Sequence, residues 1–387
     1  MNDYTFFMPT KVVSGIGKAK ETGELLKGYQ ARKVFVVTDK GIVNTGILNE
    51  IIDSLHQNGM ESFVFDEVEP NPNSELIVKA TRALRENQCG LLLAVGGGSS
   101  IDTAKAAAVM AKNKGAILDY EGVGKIPEPP LPVAAIPTTA GTGSEVTNST
   151  VITNEKTLFK AAVVSEYLFP DLAVLDPQLS IGCPAGITAS TGMDALTHGI
   201  ESYVSKNANP ISRALAIRSI KMIGENIEKA YFSGTDMTSR INMLEASMMA
   251  GFAFSQSRLG AVHAISQSFG GVFNIPHGIA NSVLLPYVIQ FNLPACLEQM
   301  KDIADALGAD TTGMNEKHAA EQVLERVITL NASLQIPNNI KDLGVSMEQL
   351  PKLVQDSMAS GNVIVNPRLI NEEQVQKLIE DAYHGNL

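Results

Sequence analysis

The chain of 387 residues carries 30 Lys and Arg against 41 Asp and Glu, a formal net charge of −11, with 44% hydrophobic and 18% charged residues and no tryptophan. That balance describes an acidic globular protein long enough for two domains. Without a Lys/Arg cluster it argues against nucleic acid or an anionic membrane as the main partner and favours small molecules. Cys89, Cys183 and Cys296 are odd in number, far apart and without a CxxC, which excludes a disulfide scaffold and points to a reducing compartment rather than a thiolate metal site.

The opening MNDYTFFMPTKVVSG has neither an apolar h-region nor basic transit-peptide character, so a cytoplasmic location is expected. No apolar run approaches the ~18 to 20 residues needed to span a bilayer. From residue 33 to 175, β-branched runs alternate with helical stretches: KVFVVTD, GILNEIIDSLHQNG, SFVFDEV, SELIVKATRALREN, GLLLAVGGG, SIDTAKAAAVMAKN and LPVAAIP. Continuous apolar strands joined by helices predict a parallel sheet buried on both faces. After LAVLDPQLS the strands stop. The stretches that follow, PISRALAIRSIKMIGENIEKAYF, SRINMLEASMMAGFAF, CLEQMKDIADALG, EKHAAEQVLERVITLNASL and NEEQVQKLIEDAYH, are amphipathic and predict an all-helical half. Glycine and proline in IGCPAG interrupt both periods, which divides the chain into an α/β domain over 1–182 and a helical domain over 183–387.

Gly96, Gly97, Gly98, Ser99 and Ser100 lie between the strand LLLAV and the helix SIDTAKAAAVM. Backbone N–H groups freed of side chains at a helix N-terminus suit a phosphate, though a tight βα turn capped by Ser100 explains the same residues. The segments GIGKAK, GGGSSI and GTGSEV each lack the last glycine of G-x-G-x-x-G, so an ordinary Rossmann domain is disfavoured. A hydroxyl-rich segment, PTTAGTGSEVT at 137–147, is either a solvated loop or a second wall of a cofactor site. Asp39 closes the strand KVFVVTD, where a carboxylate either accepts the ribose hydroxyls of an adenosine or caps a helix.

In the helical half, Asp194 and His198 are four apart in TGMDALTHGIESY, one turn from each other on one helix face. His263 in LGAVHAISQSFGG and His277 in NIPHGIANSVLLP follow. One carboxylate and three imidazoles are a ligand set for a divalent cation with a position left for substrate, whereas histidines taken singly are satisfied core residues. His56, His318 and His384 lie in polar helical stretches and are expected at the surface.

Together PNPN at 70–73, GGGSSIDTAK at 96–105, PTTAGTGSEVT, TGMDALTHGIESY and NIPHGIANSVLLP resemble the iron-containing (group III) alcohol dehydrogenase family along nearly the whole chain. The resemblance implies an α/β domain related to dehydroquinate synthase, an all-α C-terminal domain, and an active site in the cleft between them. It implies Asp194, His198, His263 and His277 as ligands of one divalent metal, Fe²⁺ foremost with Zn²⁺ or Mn²⁺ as alternatives. It implies NAD(H) bound by Gly97, Gly98 and Ser99 with Asp102 nearby, by Asn71, Thr138, Thr139, Thr147, Lys160 and Leu179, and by Asp39 at the ribose. Small alcohols or aldehydes are the implied substrates and a homo-oligomer of two or more subunits the implied assembly. The competing readings are a zinc glycerol-dehydrogenase-like or 1,3-propanediol-type enzyme, a dehydroquinate synthase relative, and a dinucleotide-binding protein without turnover.

Two positions depart from the family. Where its members commonly carry a second histidine one turn after His263, near the metal and tied to proton transfer, this chain has Gln267, which hydrogen-bonds but does not exchange a proton near neutral pH. Arg258, flanked by Ser255, Gln256 and Ser257, stands where a neutral residue is more usual. Its paired N–H donors suit a sulfonate, carboxylate or phosphonate, so a short anionic aldehyde such as sulfoacetaldehyde is one expected substrate. On an unbroken helix Arg258 would point ~140° away from His263, toward solvent or an acid, and Gly260 is the residue that can break that helix.

Overall fold

A computed structural model describes residues 3–157 and 159–387. They form two compact units, one over Met8–Cys183 and one of Pro184–Leu387 together with residues 3–7 at the start of the chain. The start of the chain is a departure from the division at residue 182. It groups with the helical unit because Phe7 N–H donates to Gln256 Oε1 (3.1 Å) and Gln256 Nε2 returns a bond to the Phe7 carbonyl (2.8 Å).

The first unit is built on nine strands: β1 (Lys11–Ser14), β2 (Lys33–Val37), β3 (Glu61–Phe65), β4 (Leu91–Gly96), β5 (Gly122–Val123), β6 (Val133–Pro137), β7 (Ser149–Asn154), β8 (Phe159–Val164) and β9 (Leu172–Leu175). Six of them form a wholly parallel sheet in the order β1-β9-β6-β4-β2-β3. Helices α1 (Thr22–Leu26), α2 (Lys40–Thr45), α3 (Leu48–Gln57), α4 (Ser74–Glu86) and α5 (Gly98–Lys112) connect and cover it. Strand residues point alternately to opposite faces. Thus Val34, Val36, Leu91, Leu93 and Val95 pack with Leu48, Ile51 and Leu55 of α3, while Phe35, Val37, Leu92 and Ala94 pack with Ala80 and Leu84 of α4 and Ala104 and Ala107 of α5. That two-sided burial is why the strands read as unbroken apolar runs.

A second, three-stranded sheet in the order β5-β8-β7 joins β5, which precedes β6, to β7 and β8, which lie between β6 and β9; β7 is antiparallel to β8. Its two longer strands, STVITN and FKAAVV, are broken by polar residues and lie in a stretch for which no strand is expected; pairing supplies what local pattern does not.

The second unit is helical: α6 (Ala185–Val204), α7 (Pro210–Phe232), α8 (Met237–Ser257), α9 (Ala261–Phe273), α10 (His277–Asn292), α11 (Leu297–Ala306), α12 (Glu316–Ser333), α13 (Leu350–Ala359) and α14 (Glu372–His384). Among the described residues none of its helices, nor any of the first unit, is long and apolar enough to cross a membrane. All three cysteines are free, and His56, His318 and His384 are exposed.

Candidate metal centre and glycine loop

Helix α6 carries Asp194, His198 and Glu201 at intervals of four and three residues on one buried face, the spacing that stacks side chains along a helix. Helix α9 contributes His263 from its first turn, and α10 contributes His277 as its first residue. The Nε2 atoms of His198, His263 and His277 lie 3.8, 3.7 and 4.0 Å from Asp194 Oδ1. The His198 and His263 rings stack at 4.7 Å between centroids, and His277 meets His263 edge-on at 5.2 Å.

Glycine makes this convergence possible at two places. A Cβ on Gly278 would collide with the Ser190 carbonyl and stand 3.4 Å from Asp194 Cβ, so only glycine lets the start of α10 approach α6 closely enough for His277 to reach the aspartate. A Cβ on Gly260 would lie 2.9 Å from Glu201 Oε1. The break that Gly260 was expected to allow is present: α8 ends at Ser257, α9 begins at Ala261, and His263 is redirected into the site.

Glu201 holds α9 and His263 together. Its Oε1 accepts the Val262 N–H (2.7 Å), one of the orphan donors of the helix start, and its Oε2 faces His263 Nδ1 at 2.6 Å. A carboxylate can only accept, so Nδ1 carries a proton and Nε2 is turned toward Asp194; this is the carboxylate–histidine pairing of metal sites. Asn281, one turn after His277, adds an amide to the same point: its Nδ2 lies 2.6 Å from Asp194 Oδ1, 3.0 Å from His263 Nε2 and 3.1 Å from His277 Nε2.

The charges follow from burial. Asp194 is 2% exposed and His263 2%. Burial alone would push the Asp194 carboxyl up, but His198, His277 and His263 around it hold it well below the usual carboxylate range. Burial alone would likewise lower His263, yet Glu201 and Asp194 raise it to about 9. Two buried carboxylates therefore demand positive charge in the space between the imidazoles. Asp194, His263 and His277 bring their ligand atoms within 4.8 Å of one another, and the buried Asn281 Oδ1 has no hydrogen-bond partner. One oxygen and two imidazole nitrogens so placed, with His198 Nε2 3.8 Å from the same oxygen, fit a divalent first-row cation.

In the α/β unit, α5 starts at Gly98 with Gly97 as its N-cap. The hydroxyl-rich segment lies against this turn: Thr142 Cγ2 is 2.7 Å from where a Cβ on Gly98 would be, Thr139 Oγ1 is 3.4 Å from that of Gly97, and Thr138 N–H donates to the Gly96 carbonyl. Asp39 takes up the capping role. Its Oδ1 accepts the Ile42 N–H as N-cap of α2, while Oδ2 stands 3.7 Å from the Cβ position of Gly96. Asn71, at φ 56°, accepts from Lys160 Nζ (2.8 Å). Leu179 packs on the core beneath the sheet. Asp102 and Thr147 face inward: Asp102 accepts from Ser144 Oγ (2.5 Å) and Val151 N–H (2.9 Å), and Thr147 Oγ1 accepts from Lys105.

Lys105 was not singled out by sequence. Its buried ammonium also donates to Ser144 Oγ and to the Thr147 and Ser149 carbonyls, and burial pulls its pKa down to about 8 while pushing that of neighbouring Glu145 up to about 7. Asp102 and Lys105, both on α5, thus fasten the loop that faces the glycine turn. Of the two residues expected near substrate, Gln267 accepts from Ser360 Oγ (3.4 Å). Arg258 is exposed, and its guanidinium fills the space a Cβ on Gly361 would take. Both side chains reach the same short segment.

Two family profiles match the chain, "Iron-containing alcohol dehydrogenase" over residues 9–177 and "Fe-containing alcohol dehydrogenase family, C-terminal" over 188–383. An NAD-dependent methanol dehydrogenase of Bacillus methanolicus is 39% identical over 377 residues, 97% of this chain and 99% of that one. A crystal structure of 1,3-propanediol oxidoreductase superposes with a TM-score of 0.96 at 37% identity, covering 99% of this chain and 100% of that chain. A sulfoacetaldehyde reductase from Bifidobacterium kashiwanohense, solved with NAD⁺, superposes at 0.89 and 32% identity, covering 99% of both.

The Glu201 contacts generate a test. Glu201→Gln keeps the shape but removes the charge that fixes the His263 tautomer, and should weaken metal affinity about 10- to 100-fold. Competition titration against a chromophoric chelator checks it; unchanged affinity would mean that Glu201 serves only to cap α9.

Proposed function

The chain belongs to the iron-containing alcohol dehydrogenase family, and from that premise we propose that it is an NAD(H)-dependent enzyme with one divalent ion, Fe²⁺ first among the alternatives, that interconverts a short alcohol and its aldehyde. The observation that carries the proposal is the buried Asp194 carboxylate with three imidazole Nε2 atoms within 4.0 Å of its Oδ1. A bound divalent ion supplies Lewis acidity at the substrate oxygen, and a nicotinamide supplies or takes up the hydride. Asp194, His198, His263 and His277 would hold the ion, with Glu201 keeping the His263 Nε2 lone pair directed at it. The backbone N–H groups at Gly97, Gly98 and Ser99 would receive the pyrophosphate at the start of α5. Thr138 and Thr139 would face it, Asp39 the ribose, and Asn71 and Lys160, hydrogen-bonded to each other, the remainder of the dinucleotide. Asp102 and Thr147 support this site from behind. Gln267 orients substrate and moves no proton, so the histidine relay expected of the family does not operate from this position.

For substrate, we propose a two- or three-carbon aldehyde with an anionic end. Arg258 supports it on two grounds. It has no carboxylate partner among the described residues, and its backbone sits at φ 61°, ψ −178°, a region that costs a non-glycine residue about 1–3 kcal/mol. A turn with no use for a side chain would carry glycine there. The sulfoacetaldehyde reductase among the similar structures is consistent with this substrate class; the 1,3-propanediol enzymes favour a second reading, a neutral hydroxyaldehyde.

Three outcomes are expected. Chelator-stripped protein should lose NADH oxidation with every aldehyde and regain it with added Fe²⁺, and His277→Ala should lower kcat by orders of magnitude; near-native rates at reduced metal content would refute the metal assignment. Asp39→Gly should raise kcat/KM for NADPH relative to NADH, since the carboxylate that repels a 2′-phosphate is gone. An unchanged ratio would leave Asp39 as the cap of α2 alone. Arg258→Ala should raise KM for an anionic aldehyde about tenfold or more while leaving propanal and 3-hydroxypropanal nearly unchanged. Equal effects on both kinds of aldehyde, or a wild-type preference for the neutral ones, would reject the anionic substrate.

A further inference from the structure

The Asn281 side chain is fully buried on α10, one turn after His277. Its single amide nitrogen lies within hydrogen-bond distance of three of the atoms that would coordinate the ion: Asp194 Oδ1 at 2.6 Å, His263 Nε2 at 3.0 Å and His277 Nε2 at 3.1 Å. The other end of the amide, Oδ1, is buried without a partner. The orientation follows from charge at Asp194: an inward-facing Oδ1 would set a lone pair against the carboxylate, whereas Nδ2 donates to it. Leaving Oδ1 unpaired is costly.

Nδ2 stands within 3.1 Å of Asp194 Oδ1, His263 Nε2 and His277 Nε2 at once, in the space that an ion held by the same three atoms would need, so each excludes the other. We propose that Asn281 is a positioning residue that competes with the ion for its own ligands and so weakens and speeds its exchange. This rests on the metal assignment made above. The residue is distinct in sign from Glu201: Glu201 binds the far nitrogen of His263 and favours the ion, while Asn281 binds the near nitrogen and opposes it. By linkage, whatever Asn281 contributes to the protein without ion is subtracted from ion affinity.

The test uses full-length protein stripped with chelator and titrated with Zn²⁺ and with Co²⁺ against a chromophoric competitor, with thermal unfolding recorded before and after loading. For Asn281→Ala the expected result is ion affinity raised about tenfold or more, because hydrogen bonds to a charged acceptor no longer have to be broken. The stripped variant should melt lower than stripped wild type, and the gap between stripped and loaded protein should widen. Asn281→Ser, which retains one donor, should fall between wild type and alanine, and provides the measurement if the alanine variant does not fold. Equal or weaker ion binding in both variants would overturn the proposal and make Asn281 a support for the ion instead. If wild type and His263→Ala take up the ions equally, the metal assignment itself fails and this inference falls with it. Neither titration nor melting depends on turnover, so the two failures are distinguishable.

Discussion

A carboxylate removed from water has to be matched by positive charge at short range, and in this protein Asp194 imposes that requirement on three helices. Its exposure is 2%, and Glu201, two turns further along α6, is 3% exposed. Burying either charge unpaired would cost more than a domain of this size has to spare. Histidines meet part of the demand, as the upward displacement of His263 records. A divalent cation meets all of it, and converts a cluster that burdens folding into one that folding builds for chemistry. The geometry around Asp194 is set by what its neighbours need: Gly278 admits α10 beside α6, and Gly260 admits Glu201 beside the start of α9.

The α/β unit solves a related problem in the opposite sense. Among its buried charged groups is an ammonium, Lys105, which donates to hydroxyl and carbonyl oxygens of Ser144, Thr147 and Ser149. Those contacts fix residues on the far side of a segment whose near side, at Thr139 and Thr142, lies against Gly97 and Gly98. A loop rich in glycine and hydroxyls is mobile unless something ties it down. Here the ties come from α5, the same helix whose N-terminus would receive phosphate, so both walls of the proposed cofactor site are referenced to one rigid element.

The parts of this arrangement that were legible in the sequence are those with a short period. Two-sided strands announced themselves as apolar runs, and Asp194 and His198 as a pair one helical turn apart. Glu201 and Asn281 obey the same spacing, at seven residues from Asp194 and four from His277, yet nothing in a single sequence says that a glutamate or an asparagine on a helix turns inward. Only the packing of α9 and α10 against α6 decides it. The β7–β8 hairpin escaped for a similar reason, because its polar-interrupted strands become regular through each other. Residues 3–7 could not be assigned to the helical unit from composition, since one side chain, Gln256, makes the backbone contacts observed.

Backbone strain distinguishes Arg258 from two other helix-ending residues with positive φ. Gln30 (φ 53°, ψ 23°) and Asn274 (φ 53°, ψ 31°) occupy the left-handed helical basin where a helix turns off its last residue, an ordinary way to end a helix. Arg258 also follows a helix, but at ψ −178° it lies outside that basin, in territory that glycine alone occupies readily. Ending α8 requires no such conformation, and the next residue but one, Gly260, was available to absorb an unusual turn. The strain is therefore tied to where the side chain must go. From this backbone the guanidinium fills the space beside Gly361, on the segment where Ser360 holds Gln267, one turn along α9 from His263. A guanidinium placed there by a strained backbone is what the proposed anionic substrate would use.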